Sequence, residues 1–247
     1  MKNEPKKKSL QKSETQLKAP TSKCLKNAFQ ILEYAYESTD SLWKTFNAIK
    51  KKRNTRGVPT HAEQDLLRST LIFACAGLDS FIKQVIRDAF ESLIEVHDKA
   101  AIALQKYAER RLGKSIINDS ETFTFDPKIL ASVLMHKSPR EGLVNLLIED
   151  VTLSSIQSHE EIMKAVNYLG IDPLKLSIQP DEIKQIFNAR NRIIHEMDID
   201  FRAWKKRRQH KIKETENRYK CILALGVGIL KEVDELLSQK TIDKDSQ

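Results

Sequence analysis

The chain is short of the residues that break and turn a backbone. Glycine and proline occur 7 times each in 247 residues. Long stretches therefore run without a breaker, which argues for an all-α protein. No G-x-x-x-x-G-K occurs, and the one G-x-G, Gly226 to Gly228, lies inside an apolar helical pattern, so no phosphate loop is encoded. The 3 cysteines, Cys24, Cys75 and Cys221, are too widely spaced for a metal knuckle, and their odd number argues against a disulfide framework. Cys75 and Cys221 sit in apolar runs and are expected to be small core residues. The longest apolar runs, Leu71 to Leu78 and Cys221 to Leu230, are too short to span a bilayer. No apolar region follows the charged N-terminus, so no signal peptide is expected. These absences point to a reducing cytoplasm and to no membrane. His159-Glu160-Glu161 lacks the second histidine of a zinc-protease motif.

What is present in quantity is positive charge, and it is concentrated. The net charge is +8. Met1 to Thr21 contributes +4, and Arg202 to Lys213, RAWKKRRQHKIK, contributes +7 without a single acid, which leaves −3 for everything else. Basicity confined to two segments points to a polyanionic partner more than to general solubility.

The expected organisation is a basic, disordered arm over 1–21, one α-helical domain over 22–240 and a tail over 241–247. Leu25, Phe29, Leu32, Ala35, Tyr36, Leu42, Trp43 and Phe46 give a helical stripe from Ser22 to about Lys52, with Ser38 to Ser41 as a candidate interruption. Asn54 to Pro59 is a turn. Thr60 with Glu63 is a capping box that opens a helix running to about His97, with Leu67, Leu71, Ala74, Leu78, Phe81, Ile82, Val85, Ala89 and Leu93 inward. Ala74, Ala76 and Gly77 are small enough for close helix approach. A third helix covers Lys99 to Arg111. The stretch from about 114 to 179 is expected to be a helical insertion, with a short extended piece at Thr122 to Phe125 and helices at Pro127 to Met135, Pro139 to Ile148 and His159 to Leu169. It could serve as a cap or a partner-docking element. The last helix, Lys213 to Gln239, carries Gly226 and Gly228 in its interior, where glycine marks a close contact with a neighbouring helix.

The most informative stretch is Pro180 to Asp200, PDEIKQIFNARNRIIHEMDID. Pro180 and Asp181 mark a helix start. Ile183, Ile186, Phe187, Ile193, Ile194 and Met197 form an apolar stripe, and Arg190 falls inside it. A guanidinium cannot give up its charge and is costly to bury unpaired, so its presence needs a reason. Asp79, an acid within the apolar second helix, is a candidate partner. Asn188, Asn191 and His195 share one edge by i+3 and i+4 spacing. An imidazole that exchanges protons near neutrality, amides and a fixed cation suit phosphodiester chemistry.

Arg190-Asn191-Arg192-Ile193-Ile194-His195 resembles the R-x4-6-H motif of HEPN-domain proteins, including the polar residue after the arginine. Leu66 to Phe90 is similar to the long first core helix of the RiboL-PSP-HEPN branch, and the continuation HEMDID followed by a basic segment is similar too. The likeness spans most of Leu66 to Leu237. It implies a helical bundle, homodimerisation and, commonly, metal-independent RNA cleavage without a cofactor. On that footing His195 is expected to move protons, Arg190 to clamp phosphate and Asn191 to orient the phosphate or the histidine. Arg192, Arg202, Lys205, Lys206, Arg207, Arg208 and Lys211 are expected to hold RNA backbone, with Trp204 as a stacking or packing residue. Family context also implies a toxin or phage-defence role restrained by an antitoxin or other regulatory protein.

Other readings compete. The module could bind RNA or a protein without cutting, or be a structural scaffold that carries the motif by chance. A metal could be held by His195, Glu196, Asp198 and Asp200, since imidazole and carboxylates suit divalent ions.

Overall fold

The computed structural model describes residues 17–54, 57–112, 127–176, 179–202 and 206–244. The expected extended piece at Thr122 to Phe125, most of the N-terminal arm, Trp204, Lys205 and the last three residues lie outside the described residues. The architecture is an all-α bundle. Its helices are α1 (Lys26–Arg53), α2 (His61–Val96), α3 (Asp98–Leu112), α4 (Pro127–Leu134), α5 (Pro139–Leu153), α6 (His159–Tyr168), α7 (Pro180–Glu196) and α8 (Ile212–Lys244). A two-stranded antiparallel ribbon, β1 (Ile199–Asp200) with β2 (Lys206–Arg207), pairs Ile199 with Arg207 and was not expected from the sequence.

Helix α2 is the central element, in contact with α1, α3, α5, α6, α7 and α8. The nine apolar stripe residues from Leu67 to Leu93 are all buried. The helix starts where the capping box places it. The Glu63 amide donates to the Thr60 hydroxyl and the Thr60 amide donates to the Glu63 carboxylate. By length and composition α2 is also apolar enough to cross a membrane, although its uninterrupted apolar runs are short. Averaged hydropathy tolerates the isolated polar residues that end a strict run, and half of the apolar window is buried inside the bundle.

Helix α1 continues through Ser38 to Ser41 without interruption. Thr39 is fully buried, the Thr45 hydroxyl donates back to the Ser41 carbonyl, and Asp40 pairs with Lys44. Its first turn has no local side-chain cap. Instead Asp88 of α2 accepts from the Ala28 amide, and Asp234 of α8 accepts from the Thr21 and Ser22 amides. Two glycines set the spacing of the long helices. A Cβ on Gly77 would stand 2.3 Å from Ala35 Cβ, and one on Gly226 would stand 2.8 Å from a Leu32 methyl. Helices α3 to α6 form a layer on one side, with α6 resting against α7.

Candidate active site

Helix α7 begins as the sequence implies, with Pro180 in the first turn and Asp181 and Glu182 at its positive end. Ile183, Ile186, Phe187, Ala189 and Ile193 are buried, and Arg190 is half-buried at the margin of that stripe. Ile194 and Met197, expected inward, are 40% and 62% exposed. Met197 ends the helix in the left-handed region at φ 49°, and this swings its side chain off the stripe.

The Arg190 guanidinium donates to Gln157 Oε1 at 2.8 Å and to Asn191 Oδ1 at 2.9 Å. Both acceptors are neutral amides. They orient the fork without cancelling its charge, which leaves it available to an anion. Asp79 does not supply the expected direct contact. Its carboxylate accepts from the Ile156 amide at 2.8 Å and pairs with Lys83 at 3.0 Å. It thereby fixes the α5–α6 connection that presents Gln157. Gln157 was not legible in the sequence, because nothing local links it to a residue on α7. Beneath the arginine lies buried Cys75, whose thiol burial pushes up to about 12 against the opposing pull of Arg190. Asn191 is half-buried. His195 is exposed and makes no hydrogen bond among the described residues. Arg192 is half-buried, and its Nε is buried without a hydrogen-bond partner.

Beyond α7 the chain is pinned by a buried ionic knot. Met197 and Asp198 both have positive φ, and both amides point at the Arg192 carbonyl. The Asp198 carboxylate, almost wholly buried, accepts from Arg68 Nε at 2.9 Å and lies 2.7 Å from His210 Nε2. Burial alone would raise its pKa, but the bonds to His210 and Arg68 outweigh that and hold it below the usual aspartate value. Gln64 and the His210 backbone exchange two hydrogen bonds, and Arg68 also donates to the Arg208 carbonyl. Arg68, Gln64 and His210 carried no site role in the sequence reading. The available signal was a charge inside an apolar helix, the same kind that marked Arg190.

This knot changes the standing of the basic segment. Arg207 pairs with Asp65 at 2.7 Å. Arg208 donates to the Ile199 carbonyl and lies near Glu196 and Asp200. Arg202, Lys206 and Lys211 are exposed, and Lys205 lies outside the described residues. The carboxylates of the considered metal set are thus directed elsewhere, Asp198 into the knot and Glu196 and Asp200 toward Arg208.

Fold and site together define a HEPN-type helical bundle, with its arginine and histidine on a single helix. The RiboL-PSP-HEPN family model matches residues 37–226, and the chain belongs to that family. The match starts well before Leu66 and takes in the second half of α1. No curated protein and no solved structure matches the chain. HEPN domains commonly bind RNA, often cleave it, and commonly form dimers.

Proposed function

We infer that the protein is a metal-independent endoribonuclease whose active site is composed by two copies of α7. The observation that carries this reading is the Arg190 guanidinium, held by neutral acceptors and left with its charge uncancelled, on the same helix as an exposed His195 that has no partner among the described residues. In the reaction the ribose 2′-OH attacks the adjacent phosphorus and gives its proton to a base. The bond to the 5′-oxygen breaks, and that oxygen takes a proton from an acid. The products are a 2′,3′-cyclic phosphate and a 5′-OH. Arg190 binds the non-bridging oxygens, His195 transfers protons, and Asn191 orients the guanidinium.

One helix offers one histidine, whereas the reaction needs both a base and an acid. Arg190 and His195 lie five positions apart, about 140° around the axis and about 7.5 Å along it. A second α7 packed antiparallel brings both pairs into one cleft and supplies acid and base from separate copies. The exposed apolar side chains Ile194, Met197 and Phe201, which lie near His195 along the chain, support a partner at this end of α7. We read the physiological role as that of a cytoplasmic toxin or phage-defence effector restrained by a regulatory protein.

The test incubates wild type and His195→Ala with total RNA in EDTA and maps the fragment ends. Cleavage by wild type alone, leaving 2′,3′-cyclic phosphates, is the expected result. Cleavage only after metal is restored would overturn the mechanism. Failure of the folded wild type to cut under any ionic condition would leave a non-catalytic RNA- or protein-binding module.

A further inference from the structure

A second basic surface lies away from the α7 motif, in the layer built by the inserted helices. A cleft of about 1150 Å³ opens between α3, α6 and the start of α7. Lys99, Lys106 and Arg110 line one wall, Lys164 the facing wall, and Lys184 the edge on α7. The spacing of 99, 106 and 110 puts those three on one face of α3, a row about 16 Å long. Three acids, Glu109, Glu160 and Asp172, share the lining with these five cations, which leaves two positive charges in excess. Glu160 lies 3.7 Å from Lys184, Glu109 accepts from Gln105, and Asp172 accepts from the Leu174 amide. Lys99, Lys106 and Lys164 have no carboxylate partner among the described residues. Arg110 donates to the Tyr168 hydroxyl at 3.0 Å and to the Lys106 carbonyl at 3.2 Å, so it too is oriented by neutral acceptors and keeps its charge.

We propose that this cleft holds the single-stranded RNA that continues from the α7 site, with the α3 and α6 cations on its phosphates. The proposal rests on the ribonuclease reading for its direction and on the cleft's own charge for its ligand. Continuity favours RNA over an acidic protein. Lys184, Asn188, Asn191 and His195 follow one another at i+4, i+3 and i+4, so one polar edge of α7 runs about 16 Å from the cleft to the motif. Exposed Ile102 and half-buried Met163 add apolar surface on which bases can rest. The basic hairpin after α7 is less suited, since Arg207 and Arg208 are already paired.

The experiment compares the full chain with the triple variant Lys99→Glu, Lys106→Glu, Lys164→Glu, whose three positions are exposed. Circular dichroism and the urea midpoint establish that it folds. The ligand is a short single-stranded RNA with 2′-O-methyl riboses, which cannot be cleaved, titrated over a range of salt concentrations. The variant should bind at least tenfold more weakly. Its slope of log K against log salt should fall by about 2, because each phosphate contact on a single strand contributes roughly 0.7. A dinucleotide too short to reach the cleft should be cut equally by both proteins. Unchanged affinity and slope in a folded variant would overturn the proposal. So would loss of affinity for an acidic peptide with RNA binding intact. If neither protein cuts the dinucleotide, the ribonuclease reading fails while the binding titration still decides the cleft.

Discussion

Replacing Asp198 by asparagine tests the ionic knot with little confounding change in shape. Asparagine tolerates the left-handed backbone that position 198 requires, at φ 57°, so the substitution removes charge without adding strain. The side chains of Asp198 and Arg68 are only 2% and 4% exposed. Removing one partner of a buried pair typically costs 3–5 kcal/mol, because the remaining charge stays buried without compensation. The asparagine oxygen still accepts one bond and Arg68 keeps its ion pair with half-exposed Asp65 at 3.0 Å, so a loss of about 2 kcal/mol, below that range, is expected. Urea unfolding of both proteins in one buffer measures this, with the midpoint shifting and the slope unchanged. The sign with pH follows from the depressed folded-state pKa. The aspartate stabilises the protein above its unfolded pKa, and that stabilisation is lost as pH falls through the folded value. Asp198→Asn should flatten the acid limb of the stability profile and leave the neutral plateau lowered throughout. A loss below about 1 kcal/mol, the scale of an exposed pair, would refute the claim that this carboxylate anchors the hairpin to α2.

Gln157→Ala should lower RNA cleavage about tenfold, roughly one hydrogen bond to a charged group, at unchanged urea midpoint, since it frees Arg190 without touching the core. Gly77→Ala should destabilise by about 1–3 kcal/mol through overpacking against Ala35, and Ala35→Gly in the same chain should restore most of it, as a double-mutant cycle in urea would show. Thr60→Ala should cost about 1 kcal/mol by removing the α2 cap, measured as a lower thermal midpoint. Cys75 should resist a thiol reagent at pH 8 in the native protein and react once urea unfolds it, because burial keeps its thiol protonated.

Much of this arrangement was legible in the sequence because it is local. The start of α7 follows from Pro180 and Asp181, the α2 start from Thr60 and Glu63, and the tight α1–α2 approach from the small residues around Gly77. What could not be read depends on pairings between distant positions. Asp198 meets Arg68 across 130 residues and Gln157 meets Arg190 across 33, and no periodicity encodes either contact. Ile194 and Met197 fit the apolar stripe by count, yet both are exposed, since the stripe turns out of the core where α7 ends. The basic segment read as one uniform track because composition cannot distinguish an arginine that is already paired from one that is free.

The length of the Arg68–Asp198 span bears on how the protein is made. Helix α1 is already present to cover one face of α2 when α2 leaves the ribosome, but α7 and α8, which cover part of the rest, come last. At roughly 5–20 residues per second, the 130 residues from Arg68 to Asp198 take on the order of 10 s to synthesise. Throughout that interval the longest helix of the chain stands with part of its surface open and with Arg68 paired only to Asp65 of its own helix. The nascent chain is then most exposed to misassociation, and any substitution that slows the arrival of α7 lengthens that exposure before it alters the finished molecule.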